Sequence, residues 1–424
     1  MTDIMTLASP PDWQLYRLGQ LFRERKEKGS DKDFPPLSVT MSGIVPQLET
    51  AAKSDDGENR KVVRVGDYVI NSRSDRKGSG GVSAHEGSVS LISIVLEPRN
   101  IDPRFAHHLL RSPAFQEEFY RWGHGIVADL WTTRYGDMKN IRLRIPDLAT
   151  QRQIADFLDR ETARIDLLVE KKQRLVGLLG ERFNARRNSV FRQIPNSQYR
   201  PLRWLLTRIC DGPFGSGLTS AHYTDTGVRV VRLQNIKDGG FADGDAAFIS
   251  EEHYTTLGDH DVKAGDLLVA GLGDEKNKVG RACIAPDGLG PAMVKADCYR
   301  VRLKRNLISH HFVAEYLSSD ESWPQIDALA KGVTRSRLNL ELVRRIRVPV
   351  PQMEQQNKII EQVACERSVF SSASARIIAS IARLKEYRSA LITAAVTGQI
   401  DVSTHAKSGT FDRRLDAIQE KIGA

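Results

Sequence analysis

Apolar and polar positions follow two periods along this chain. Over residues 1–150, and again over about 195–354, short runs alternate apolar and polar residues. Examples are "KVVRVGDYVI" (61–70) and "VRVVRLQNI" (228–236). Period-two runs between Gly- and Ser-rich loops predict strands. A helix is predicted near "RFAHHLLRSPAFQEEFYRW" (104–122). From about Gln151 to Phe191, and from about Gln355 to Val396, the pattern becomes that of a long helix. No proline interrupts the first before Pro195, and Thr397–Gly398 closes the second as a C-cap signal. The second helix carries Val363, Phe370, Ile377, Leu384 and Leu391 seven residues apart. The first carries Leu158, Ile165 and Leu179, joined by Leu168 and Leu175, with Lys172 and Arg186 interrupting. A heptad seam is the pattern of a coiled coil. A helix of about 40 residues is about 60 Å long. A small domain cannot cover so long a stripe, so each helix is expected to pair with the other.

The two halves repeat one another in order. Pro146 aligns with Pro351, and Ile141, Arg142, Gln151 and Ile154 then meet Ile346, Arg347, Gln356 and Ile359, all at an offset of 205. "RVGDYVI" (64–70) matches "KAGDLLV" (263–269) at 199, and "RFAHHLLRSP" (104–113) matches "HFVAEYLSSD" (311–320) at 207. The expected class is α/β: two mixed α/β domains in tandem repeat, separated by two long antiparallel coiled-coil helices. The expected boundaries are a first domain at 1–150, a central helix at 151–194, a second domain at 195–354 and a C-terminal helix at 355–400. A tail at 401–424 follows, with one short helix at "FDRRLDAIQEKI".

Composition narrows the class. The 424 residues are 40% hydrophobic and 27% charged, ordinary for a globular chain. Cys210, Cys283, Cys298 and Cys365 form no CxxC pair, which fits a reducing cytoplasmic setting and argues against a disulfide framework or structural zinc. No apolar stretch reaches the roughly 18 residues of a membrane span. The net charge of +9 favours a polyanionic partner.

Catalytic signatures are missing. There is no P-loop, H-E-x-x-H or G-x-S-x-G, and "RKGSGGVS" (76–83) and "DGPFGSGLTS" (211–220) lack dinucleotide-loop spacing. "SPPDW" (9–13) places Asp12 where a base methyltransferase loop needs an aromatic residue. "YRLGQLFRERKEKG" (16–29) reads as a short helix and charged turn, which separates Glu24 and Lys26 from a nuclease arrangement.

Basic loops occupy matching places in the repeat. Arg73, Arg76 and Lys77 in "NSRSDRKGSGG" (71–81) correspond to Lys276, Lys278 and Arg281 in "AGLGDEKNKVGRA" (270–282). A second cluster precedes each Pro–Gln join: Thr132 and Arg134 in "DLWTTRYGD" (129–137), and Arg335 and Arg337 in "AKGVTRSRLN" (330–339). A third is Arg232, Gln234 and Asn235, expected to alternate on a strand near Ser216 of "GPFGSG". Arg and Lys can contact guanine edges or phosphates, while Asn, Gln and Ser read base edges. Any single one of these residues is as readily explained by a solvated loop; their matched placement is the signal. Two such domains on antiparallel helices would meet double-stranded DNA at half-sites about 34 Å apart.

The chain resembles the specificity subunit of Type I restriction–modification enzymes over residues 12–400. The resemblance lies in "MKNIRLRIPDLATQRQIADFLD", "DGPFGSGL", "VVRLQNI" and "IRVPVPQMEQQNKII", together with the duplicated domain–helix order. It implies two target-recognition domains, a bipartite DNA site and no catalysis in this subunit. It also implies two modification subunits carrying S-adenosylmethionine, restriction subunits using ATP and Mg, and docking on the helices. Lys171, Lys172, Arg174, Lys385, Glu386 and Arg388 are the expected docking positions. Thr150 replaces the family's usual Glu in the first join, and "GERFNARRNSVF" is a weaker form of the second helix's Ala-rich ending.

Overall fold

A computed structural model describes residues 9–47, 57–125, 131–330 and 336–407. The tail helix expected at 411–422 lies outside them. The chain forms two compact units, residues 1–174 with 376–424, and residues 175–375. Each contains one α/β domain and one segment of each long helix.

In the first unit the domain consists of β1 (Gln14–Arg17), β2 (Phe22–Glu24), β3 (Tyr68–Asn71), β4 (Gly80–Val82) and β5 (Ser93–Pro98). These are followed by α1 (Pro103–Arg111), α2 (Pro113–Arg121), β6 (Arg142–Ile145) and the long α3 (Leu148–Arg192). The central sheet has the antiparallel order β2-β5-β3-β4, and β1 pairs with β6. One helical turn, Leu18–Leu21, precedes β2, which reaches Glu24; Lys26 falls beyond its end. Asp102 caps α1 by accepting the Arg104 and Phe105 amides, with Pro103 at the first helical position.

The second unit repeats this plan with β7 (Tyr199–Pro201), β8 (Leu206–Cys210), β9 (Leu267–Ala270), β10 (Ala282–Ile284) and β11 (Cys298–Leu303). Then come α4 (His310–Leu317), β12 (Arg347–Pro349) and the long α5 (Met353–Val396). Its corresponding sheet has the order β8-β11-β9-β10, and β7 pairs with β12. The same connectivity therefore occurs twice, as the ordered anchors imply.

The Pro–Gln join is a built device. The Gln151 carboxamide accepts the Asp102 amide (2.8 Å) and donates to the Pro146 carbonyl (2.8 Å). Gln356 likewise accepts the Ser309 amide (2.8 Å) and donates to the Pro351 (2.8 Å) and Leu307 (3.0 Å) carbonyls. Both glutamines are buried. Each ties the start of a long helix to the N-cap of the domain helix it supports. Gln356→Ala would strand those groups, costing about 1–3 kcal/mol. The melting temperature should fall by roughly 2–4 °C per kcal/mol. A calorimetric shift under about 1 °C would refute this bridging role.

Helix α3 begins before Gln151 because Asp147 caps it. Its carboxylate accepts the Ala149 (2.8 Å) and Thr150 (3.0 Å) amides and the Thr150 hydroxyl (2.9 Å). Thr150 is thus part of the cap. At the far end of α5, Gly398 adopts φ +72°, and a Cβ there would lie 2.5 Å from Pro10. The "SPPDW" segment therefore packs on this helix end.

Within the first unit, Ile154, Leu158 and Ile165 of α3 join Leu384 and Leu391 of α5 in one core with Phe105, Leu109 and Ile145. Asp166 pairs with Arg388 across the helices (2.9 Å). In the second unit Phe183 stacks on Phe370 (centroids 5.6 Å apart), and Arg186 pairs with Glu366. Successively later α3 residues meet earlier α5 residues, so the segments run antiparallel. The seam of α5 is buried at Val363, Ile377, Leu384 and Leu391. Leu175 departs from the expected seam: it is 45% exposed. It sits one position before the inward-facing site, a rotation of about 100° on a helix. Among the described residues, no helix is long and apolar enough to cross a membrane.

Candidate nucleic-acid interface

The two basic segments that the repeat placed in each half meet in space. In the first unit the chain leaves β3 at Asn71, makes a one-turn 3-10 helix at Ser74–Arg76 and returns as β4. Residues 131–133 lie beside it. The Ser74 amide donates to the Trp131 carbonyl (2.9 Å) and the Thr133 amide to the Ser72 carbonyl (3.0 Å), which sets Arg73 opposite Thr132. In the second unit the Gly273 amide donates to Ser336 (2.9 Å) and the Leu338 amide to Gly271 (2.9 Å), which sets Leu272 opposite Arg337. These bonds coincide at the offsets of 199 and 205. Each short ladder carries one arginine at its bridge, on opposite partners: Arg73 faces a threonine, and Arg337 faces a leucine.

Beside the first ladder lies a cavity of about 480 Å³ lined by Glu24, Lys61, Arg73, Thr132, Arg134 and Tyr135, with Leu91 and Ile92 at its rim. Arg73 and Arg134 are exposed and have no acidic partner among the described residues. Lys61 reaches Glu24 (3.7 Å), and burial lowers its ammonium pKa. Lys77 pairs with Glu117 and lies over the Tyr120 ring (5.7 Å). Arg76 is exposed beside Asp75 (3.9 Å).

Beside the second ladder, Arg337 donates to Asp297 from Nε (3.0 Å) with Nη2 2.8 Å from the same oxygen, and its guanidinium covers the exposed Phe214 ring (5.7 Å). Asp297 has φ +63°, unusual for a residue other than glycine. Its amide is held by the Asp211 carboxylate (2.8 Å), which also accepts the Gly212 amide (2.7 Å). Burial pushes the Asp211 carboxyl up to about 6. A Cβ on Gly212 would lie 2.1 Å from the Lys295 backbone, so "DGPFGSG" begins as a packing element. Ser216 is exposed in the turn that follows. Lys276 is exposed after the turn closed by Asp274. Lys278 pairs with Asp320 (2.5 Å) over Trp323.

Four expected readers have other placements. Strand Val228–Val231 ends before Arg232, and Leu233–Asn235 form a 3-10 turn, so Arg232, Gln234 and Asn235 do not alternate on a strand. Asn235 is fully buried: its Oδ1 accepts the Arg232 amide (2.8 Å), and its Nδ2 donates to the Ala242 carbonyl (2.8 Å). Arg281 is buried and donates to the Ile236, Leu272, Lys278 and Leu233 carbonyls. Both hold loops in place and are withdrawn from the reading surface. Arg232 and Gln234 remain near the surface, paired with Asp245. Arg335 lies outside the described residues. Sequence patterning missed Phe214 and Asp297, which shape Arg337, because neither belongs to a basic cluster. Among the described residues, no group of three or more His, Cys, Asp or Glu side chains could hold a metal.

No family model matches the chain. It is 21% identical over 388 residues to the Type I restriction enzyme MjaVIII specificity subunit of Methanocaldococcus jannaschii, covering 84% of this chain and 86% of that protein. It is 22% identical over 312 residues to the EcoBI specificity subunit of Escherichia coli, covering 68% and 65%. A solved chain described as showing complex assembly and conformational transition of the type I R-M system superposes with a TM-score of 0.68. That match has 16% identity and covers 92% of this chain and 99% of the other.

Proposed function

We infer that this chain belongs to the specificity subunits of Type I restriction–modification enzymes and acts as the non-catalytic, DNA-reading member of such a complex. Each α/β domain reads one half of a bipartite double-stranded DNA site. The two half-sites differ in sequence, and the long helices set the gap between them. The observation that carries this reading is the pair of equivalent loop ladders, one per domain, with different side chains at equivalent positions. A duplicated scaffold with unlike tips suits an asymmetric target. Stand-alone methyltransferase or nuclease activity and a basic interaction scaffold find no support in the relatives.

Modification subunits carrying S-adenosylmethionine, two per complex, dock on the helices, and restriction subunits supply ATP- and Mg-dependent cleavage. Within the docking set, Arg388 is committed to Asp166, and Lys172 is half-buried with its pKa lowered by that burial. Lys171, Arg174, Lys385 and Glu386 remain exposed, and so do Leu167, Leu178, Val369 and Ile378.

The test combines purified chain with modification subunits. Methylation of a two-part site is expected only with both present. Binding should weaken steeply with salt, since several phosphates are contacted. Methylation by the chain alone, or equal modification without it, would reject the assignment.

A further inference from the structure

The two domains sit on their helix segments with opposite polarity. In the first unit α1 presents donors. Arg104 pairs with Asp156 (2.7 Å) and Asp159 (3.4 Å) of α3, and His108 Nε2 lies 2.7 Å from Asp159 Oδ1. In the second unit α4 and the residues after it present acceptors. Both Glu315 carboxylate oxygens accept from the one Nη2 of Arg367 on α5 (2.6 Å each). Asp320 accepts from Asn188 (2.7 Å) and Glu321 from Arg192 (2.6 Å), both on α3.

The repeat makes these positions comparable. At the offset of 207, His108 corresponds to Glu315. At 205, Asp159 corresponds to Ala364, and Arg367 lies one turn further along, where the first helix has Thr162. At this position the aligned domain helices carry a donor in one half and an acceptor in the other, and the helix residue facing it changes from Asp159 to Arg367 to match, whereas Asp156 keeps an acid, Glu361, at its counterpart. Among the described ion pairs of these helices, Arg152–Asp102 (3.7 Å) runs the other way and is the longest of these contacts, and the Asp320 amide donates back to Asn188 Oδ1 (2.9 Å). His108 and Glu315 are largely buried. Partly buried pairs are screened by salt much less than surface pairs.

We propose that these contacts form a polarity key that matches each domain to the helix seat it is joined to, so that the two domains, and with them the half-sites that the proposed function assigns to them, are not interchangeable between the two ends. A first domain placed on the second seat would bring His108 against Arg367, while Arg104 would meet Glu361, the acid that corresponds to Asp156 at the offset of 205. A second domain on the first seat would bring Glu315 against Asp159. Each misplacement removes a pairing and sets like charge or donor against donor.

The experiment compares full-length chains by thermal unfolding. One exchanges residues 9–145 with 197–349 while leaving both long helices in place. A second adds the key exchange: His108→Glu in the first domain and Glu315→His in the second. The exchanged chain should melt roughly 5 °C or more below the parent, a few kcal/mol at this size. The key exchange should recover at least half of that drop. An exchanged chain that melts with the parent, or a drop the key exchange leaves unchanged, would overturn the proposal. Should the exchanged chain not fold, the parental order still decides. Glu315→Arg should lower the melting temperature, and adding Arg367→Glu should restore it; no loss, or no restoration, overturns the key.

Discussion

Replacing Arg73 and Arg134 together by alanine should weaken recognition of one half-site by roughly 30-fold or more, with the other half-site read as before. The magnitude follows from about 1–3 kcal/mol for each good base contact. Both side chains are exposed at the cavity beside the first ladder and have no acidic partner to restrain them among the described residues. Competition binding against duplexes altered in one half at a time would measure the effect. Lys276→Ala provides the contrast: as a phosphate contact it should weaken all sequences alike and reduce the salt slope by about one. A uniform loss from the arginine pair would reassign them to phosphates, and no loss would remove them from the interface.

The largest stability effect is expected from Asp266→Ala. Asp266 is 3% exposed, takes both Arg302 nitrogens at 2.7 Å and accepts the Lys263 amide at 2.9 Å. Truncating one member of such a pair leaves a charge uncompensated and costs about 3–5 kcal/mol. Asp67 does the same work in the first unit, with Arg25 (2.7 Å) and the Arg64 amide (2.8 Å). Asp67→Ala should therefore cost a similar amount. Chemical denaturation of each variant would measure both. A loss under about 1 kcal/mol would class them with ordinary surface pairs.

These aspartates show what the sequence made legible. The two Gly-Asp turns aligned because each must cap its own turn and hold an arginine. The arginines come from different places, residue 25 before the turn and residue 302 after it, so no alignment exposes them. The Pro–Gln joins were legible for the same reason: one carboxamide must satisfy the same backbone groups in both halves. Helix length and the α5 seam followed from heptad spacing, while Leu175 was misassigned because a neighbouring position took the seam. The site was half legible. Loop placement followed from the repeat, whereas the ladders that join the loops were visible only in the structure. Which basic residues reach the surface depends on burial, and charge alone does not reveal it. Arg281 has the sequence appearance of a reader and is a clamp on four carbonyls. Arg337 looked equivalent to it and is exposed, shaped by an aromatic ring and an acid more than 100 and about 40 residues away.

The central claim, one half-site per domain, is tested most directly by sequencing DNA methylated by the assembled complex before and after residues 1–145 are replaced with those of a relative. The parent should modify an asymmetric two-part motif with a fixed gap. The chimera should change one part of it and keep the other part and the gap. A single uninterrupted motif in the parent, or a chimera in which both parts change, would contradict the account.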